Sequence, residues 1–426
     1  MPVAVACQRK PVFVKRALVL LFFSSISILG FGQGYISFRD EREDIIRTTK
    51  YKIGPFWISP SIGVRDIGLD SNVYYEREDQ GPVSDYTFTI FSAAKISYLF
   101  RRSIIVSLRE NPEYVYYFEE KKERGWNNLF SPELRVFLLN RFVLNGSYLN
   151  SKTRYRATSE FNARVNEYRK GLKGSLFLET PRGTSLGISG SSLEITYGDI
   201  PDLSISRSLN RKEQETNLEL YYRIMPECFL FLRGGYKEYS FVDPLYRWRD
   251  AYSYQAYSGI QFPILGRIRG ALSLGYKKLK PRDVDKQTFS GLIGDTSLDF
   301  RVSRFGFRLG FNRDCYFSFY SDNVFFVENR WGAGASFYLT RFLRLDYDFN
   351  YGKDSYPEEA FVISPSGQPE QIKRSDLFRV HMAGVVVRII KNTGIGLAMN
   401  FWQRESNIYF ENRERFFWGA FLTYEF

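Results

Sequence analysis

The stretch RFLRLDYDFNYG, beginning at Arg341, alternates without a slip. Leu343, Leu345, Tyr347, Phe349 and Tyr351 share one parity, and Arg344, Asp346, Asp348 and Asn350 share the other. A two-residue period puts successive side chains on opposite faces of a strand, whereas a helix would scatter these charges around its axis. The period recurs. Ile268, Leu272, Leu274 and Tyr276 oppose Arg267, Arg269 and Ser273, while Leu218, Leu220, Tyr222 and Ile224 oppose Glu219, Tyr221 and Arg223. Leu298, Phe300 and Val302 alternate with Ser297, Asp299 and Arg301. An all-β chain is the consequence.

Tight connections punctuate the strands near residues 100, 140, 182, 226, 265, 304, 341 and 393. They are rich in Gly, Pro and Asn, residues suited to turn backbone geometry. Longer polar stretches lie between them, among them RYRATSEFNARVN and KDSYPEEAFVISPSGQPEQ. Eight hairpins on the tight turns, a first strand near 56–66 and a last near 413–426 make about 18 strands, or 16 with one hairpin fewer. Strands of about 10–15 residues suit a tilted membrane crossing, whereas globular strands average about 5–6. Charges at mid-strand on the polar face imply a hydrated lumen. The expected fold is therefore a transmembrane antiparallel β-barrel over residues 55–426, with short turns at one end, long loops at the other and no unpaired edge in lipid.

The N-terminus fits export. Ala17–Leu29 is a 13-residue apolar run preceded by Arg9, Lys10, Lys15 and Arg16 and followed by small Gly30 and Gly32. That is the organisation of a secretory signal peptide over residues 1–32, too short to span a bilayer comfortably. Its removal takes the formal charge from +12 to +8. Residues 33–54 read as a mobile periplasmic lead-in. The final strand ends on Phe426, with Tyr424 and Leu422 on the same parity. This terminus resembles the C-terminal signal read by the outer-membrane barrel-assembly machinery. The expected location is the cell outer membrane, in contact with its lipid and lipopolysaccharide.

The stretch ISPSIGVRDIGLDSNVYYE carries Pro60, Ser61, Asp70, Ser71, Asn72 and Tyr74. It resembles the opening strand of the β-barrel porin 2 family over about 20 residues. The resemblance implies an outer-membrane barrel in a family some of whose members accompany exopolysaccharide genes. It implies no particular substrate.

On the polar parity, Arg109, Arg135, Arg223, Arg233, Arg267, Arg269, Arg301, Arg308, Arg344, Arg379 and Arg404 are candidates for the lumen, with Lys95, Lys173, Lys237 and Lys277. Glu133, Glu179, Glu219, Asp299, Asp346 and Asp348 are their acidic counterparts. Arginine forks suit carboxylate, phosphate and sulfate, so a basic wall points to passage of small polar or anionic solutes, acidic sugars among them. Equally, arginines and carboxylates on neighbouring strands could neutralise one another and hold the barrel together. An external loop could also close the lumen, residues 66–86 and 354–374 being the longest candidates. Two further readings stay open: a non-conducting accessory barrel that binds polysaccharide or a secretion partner, and a lipid-modifying barrel enzyme. For the enzyme, His381 is the one histidine, and no G-x-S-x-G motif accompanies it.

No cofactor is expected. Zinc-type Cys/His spacing, a Gly-Lys phosphate loop and the regular Asp spacing of a calcium loop are all missing. Dispersed charge and an exported compartment argue against nucleic acid. After signal removal Cys228 and Cys315 remain, too far apart along their strands for a disulfide.

Overall fold

The computed structural model describes residues 37–425 apart from 50, 157, 161–162, 199–203, 226–227, 266–267, 321, 364–367 and 391. The signal segment, Arg267 and Phe426 lie outside the described residues. After helix α1 (Phe38–Thr48) and a short strand Tyr51–Ile53 come the strands of a barrel. They are β1 (Phe56–Asp70), β2 (Asp85–Phe100), β3 (Ile104–Glu110 continuing as Glu113–Tyr117), β4 (Gly125–Leu138), β5 (Phe142–Tyr155) and β6 (Val165–Glu179). Next are β7 (Ser185–Tyr197), β8 (Arg211–Met225), β9 (Cys228–Phe241), β10 (Ala251–Leu265), β11 (Ile268–Pro281) and β12 (Phe289–Val302). The last are β13 (Phe305–Phe317), β14 (Phe325–Tyr338), β15 (Leu343–Ile363), β16 (Pro369–Ile390), β17 (Thr393–Ser406) and β18 (Arg413–Glu425).

Each strand pairs antiparallel with the next, and β1 pairs with β18 through Ile62↔Tyr424 and Val64↔Leu422, so the 18-strand sheet closes. The seam is tight. A Cβ on Gly68 would fall 1.9 Å from the Trp418 carbonyl oxygen, and beside it a bulge places Asp66 at φ 56°. Such a bulge re-aims the strand at the point of closure.

Alternation sets the two faces. On β8, Leu218, Leu220 and Tyr222 point outward and are 58%, 39% and 57% exposed, while Glu219 and Tyr221 point into the lumen and are 5% and 4% exposed. Outward leucines, isoleucines and aromatics continue around the sheet, as at Leu172, Ile188, Leu232, Leu274, Leu292, Leu397 and Trp418. A contiguous apolar band of this kind is incompatible with water and suits a lipid belt. No helix among the described residues is long and apolar enough to cross a membrane.

The described part of residues 33–54 is ordered where the sequence suggests a mobile lead-in. Residues 38–48 are helical and packed inside the barrel at the tight-turn end, for reasons given below. Cys228 and Cys315 are both buried, unbridged thiols, as their spacing required.

Candidate functional site

Most of the expected basic residues do line the lumen, and most are neutralised there. Arg233 lies 3.0 Å from Glu219, Arg344 2.7 Å from Asp346, and Lys277 2.8 Å from Asp314. Arg308 donates from both Nε and Nη2 to the two oxygens of Asp348, at 2.9 and 2.7 Å. Arg344 and Asp346 share β15, while the other three pairs join different strands and so brace the wall as well as charge it. Arg301 lies at the tight-turn rim, its guanidinium 5.9 Å from the Tyr338 ring. Two arginines stay solvent-exposed on the luminal parity. Arg109 sits opposite Lys95 on β2, and Arg269 opposite Asp299 on β12. Neither has a salt bridge among the described residues. Lys173 is likewise exposed on the luminal face of β6.

At the tight-turn end α1 lies inside the barrel against the luminal wall. Ser37 caps it, its Oγ accepting from Asp40 N at 3.2 Å; Asp40 and Glu41 fill the first turn and Arg47 the last, as the helix dipole favours. Phe38 and Ile45 are 1% and 3% exposed and pack on luminal Ile105, Val143, Phe177, Tyr221 and Phe229. Phe38 stacks on Phe137 at 5.2 Å, and its backbone N–H donates to Glu179 Oε2 at 3.4 Å. Glu41 pairs with Arg135, and Asp40 lies 3.9 Å from Arg223. Two side chains expected to meet external anions thus meet carboxylates of this chain.

At the long-loop end, loops fold inward. The segment between β5 and β6 leaves one wall and contacts the opposite one. Glu160, 1% exposed, accepts from Ser318 Oγ at 2.6 Å and Phe319 N at 2.9 Å. Ser159 Oγ donates to Asp354 at 2.5 Å, and Arg404 Nη1 donates to the Ser159 carbonyl at 2.9 Å. Arg164 donates to Asp70 Oδ2 at 3.0 Å and also contacts Tyr117. Asp70 is fully buried and takes two further 2.7 Å bonds from Arg415. Arg156 is held 4.4 Å from both the Tyr75 and Trp402 ring centroids. Burial lowers its pKa to about 9; Tyr75 favours the cation, while Arg404, Arg415 and Arg330 oppose it. Burial raises the Glu160 carboxyl against the hydrogen bonds from Ser318 and Phe319 and the nearby charge of Arg374.

The loop that crosses the lumen is therefore neither of the two longest candidates. Residues 71–84 contribute buried Val73 and Tyr75 to this inward packing, but residues 354–363 and 369–374 continue the ladder, with Phe361 68% and Ile363 66% exposed. Arg404, expected as an open luminal cation, is fully buried against Glu411 at 2.6 Å. Arg379 and His381 do not face the lumen. They share the outward parity of Val385 and Val387; Arg379 pairs with Glu405 at 2.8 Å, and the His381 ring lies 4.9 Å from Phe349. The hydrogen-bond partner of His381 among the described residues is Tyr347 Oη, 2.9 Å from Nδ1, which is no nucleophile–base pair of the serine type. Leu422 is outward and 41% exposed, and Tyr424 shares its parity. The described residues hold no group of three or more His, Cys, Asp or Glu fit for a metal ion. In the sequence the Asp70–Arg164–Arg415 cluster shows only as Asp70 in the opening-strand stretch and as the luminal parity of Arg415 on the last strand.

No family model and no curated protein matches the chain, so the resemblance of the first strand gains no support from them. Solved barrels resemble it in shape. OpdO of Pseudomonas aeruginosa is 12% identical with a TM-score of 0.48, covering 87% of this chain and 97% of its own. The outer membrane protein opdK of the same organism is 11% identical at 0.48, covering 87% and 98%. The siderophore receptor PirA of Acinetobacter baumannii is 8% identical at 0.41, covering 87% and 80%. These likenesses are ones of barrel architecture.

Proposed function

We propose that this chain is a gated outer-membrane channel for small anionic solutes, acidic sugars among them, and not an enzyme. In this reading it is exported by residues 1–32 and inserted through the assembly signal Leu422, Tyr424 and Phe426. The outward apolar band supports the membrane placement. One observation carries the function: Asp40 and Glu41 of α1 sit on Arg223 and Arg135, so the chain's own carboxylates fill an anion site in the wall. When α1 withdraws, those arginines join exposed Arg109, Lys173 and Arg269 in one basic path. A channel built this way is closed at rest and opens by giving up its internal ligands.

Inward packing at both ends also supports a second reading, a non-conducting accessory barrel that binds polysaccharide. Reversal potentials in a salt gradient separate the two, measured on the mature chain lacking residues 33–50. The channel reading expects anion preference, reduced or inverted by Arg109→Glu with Arg269→Glu. A folded barrel without conductance favours the accessory role, and cation preference in the parent overturns the anionic solute.

A further inference from the structure

The outward face of β9–β12 carries a feature that neither the lumen nor the segments packed in it use. Tyr236, Tyr254, Lys278 and Ser290 lie in one cross-strand row, and Glu238, Tyr252 and Lys280 in the row beyond it, toward the long loops. The three tyrosines are packed together, Tyr236 and Tyr254 at 5.3 Å and Tyr252 and Tyr254 at 5.8 Å between ring centroids. Arg282 takes Glu238 in a salt bridge. Lys278 and Lys280 have no salt bridge among the described residues, and Lys278 is exposed. At other outward positions cations meet acids: Lys170 and Lys212 both sit opposite Glu194, and Arg379 meets Glu405. Lys353 also faces outward opposite Asn329 and Leu377, but Lys278 and Lys280 place two such cations two residues apart on one strand.

Depth decides what it faces. Ile268 begins the outward apolar run of β11 and Lys278 stands ten residues along. That is about 33 Å of strand, or about 25 Å along the barrel axis at a tilt of about 40°, the height of an outer-membrane apolar band. Leu272, Leu274 and Tyr276 fill the interval, 40%, 58% and 50% exposed. In the next row down, Gly234 and Ala256 leave a dip beside Tyr276; a Cβ on Gly234 would meet nothing within 4 Å. The arrangement is a shallow apolar trough under two ammonium groups and a tyrosine cluster.

We propose that this patch is a binding site for a phosphorylated glycolipid of the outer leaflet. Lys278 and Lys280 hold its phosphate, the tyrosine hydroxyls donate to phosphate and sugar oxygens, and an acyl chain lies over Gly234 and Ala256. Ammonium groups at a headgroup plane attract anionic lipid, and tyrosines favour the same depth. The inference rests on the outer-membrane part of the proposed function and is independent of conduction.

The test is native mass spectrometry of the full mature chain refolded in detergent, titrated with diphosphoryl lipid A and with its dephosphorylated form. Heat-modifiable gel migration verifies that each variant is folded. The wild type is expected to retain the diphosphorylated lipid, and Lys278→Ala with Lys280→Ala to bind it about tenfold more weakly or worse. Lys278→Arg with Lys280→Arg keeps the charge and is expected to keep binding. Equal retention of phosphorylated and dephosphorylated lipid, unchanged binding by the double alanine variant, or no binding by the wild type overturns the site. Conductance of the same samples judges the channel separately, since a silent barrel that binds lipid refutes only the channel.

Discussion

Replacing Phe38 by Ala tests the docking of α1 at the tight-turn end. The ring is 1% exposed and stacked on Phe137, with Ile105, Val143, Phe177 and Phe229 in the same apolar cluster. Truncating a buried Phe to Ala costs about 3–5 kcal/mol, and the lower figure suits a helix whose other face meets water. At about 1.4 kcal/mol per factor of ten, about 3 kcal/mol shifts the docked-to-undocked ratio about 150-fold. Trypsin reports that ratio. Arg42 lies mid-helix and is cleaved from the opened form, so the rate follows the undocked population when reclosing is fast. Cleavage after Arg42 is expected to accelerate up to about 150-fold in Phe38→Ala. Ile46→Ala is expected to change it little, because that side chain is already 39% exposed. Equal cleavage of Phe38→Ala and wild type would refute docking by this contact.

At the other end, Asp70→Ala leaves Arg164 and Arg415 buried without their shared carboxylate. Losing one partner of such a group costs about 3–5 kcal/mol, so the apparent melting temperature is expected to fall and trypsin to cut after Arg164. The pH dependence of the same loop follows from Glu160, whose carboxyl is raised by burial among Ser318, Phe319, Arg374, Arg249 and Tyr356. The docked state then holds a proton that the free loop releases. Docking is fully favoured below the free carboxyl value and is lost as pH rises through the raised one. Cleavage after Arg156 or Arg164, normalised to a peptide substrate, is expected to rise with pH in the wild type and to lose that dependence in Glu160→Gln.

Alternation made the barrel legible, and particular residues show where it stopped being informative. On β15 the charges at 344, 346 and 348 mark the lumen without ambiguity. On β16, HMAGVVV is apolar on both parities because Val380, Met382 and Val386 pack inside while Val385 and Val387 face outward. Arg379 then reads as luminal by its polarity, although it stands outward against Glu405. The helix was hidden for a different reason. FRDEREDIIRT has too few apolar residues to announce a packed face, and its partners Arg135, Phe137, Glu179 and Arg223 lie about 100–180 residues away in sequence. The crossing loop was equally silent. Arg156 and Arg164 are ordinary in a polar loop until Tyr75, Trp402 and Asp70 are brought beside them from distant strands.

Single-channel conductance in a planar bilayer tests the central claim most directly, comparing the full mature chain with one lacking residues 33–50, in a salt gradient. A mostly closed full-length barrel is expected and, on removal of α1, steady openings with anion preference. Equal conductance of the two chains, or openings that prefer cations, would contradict it.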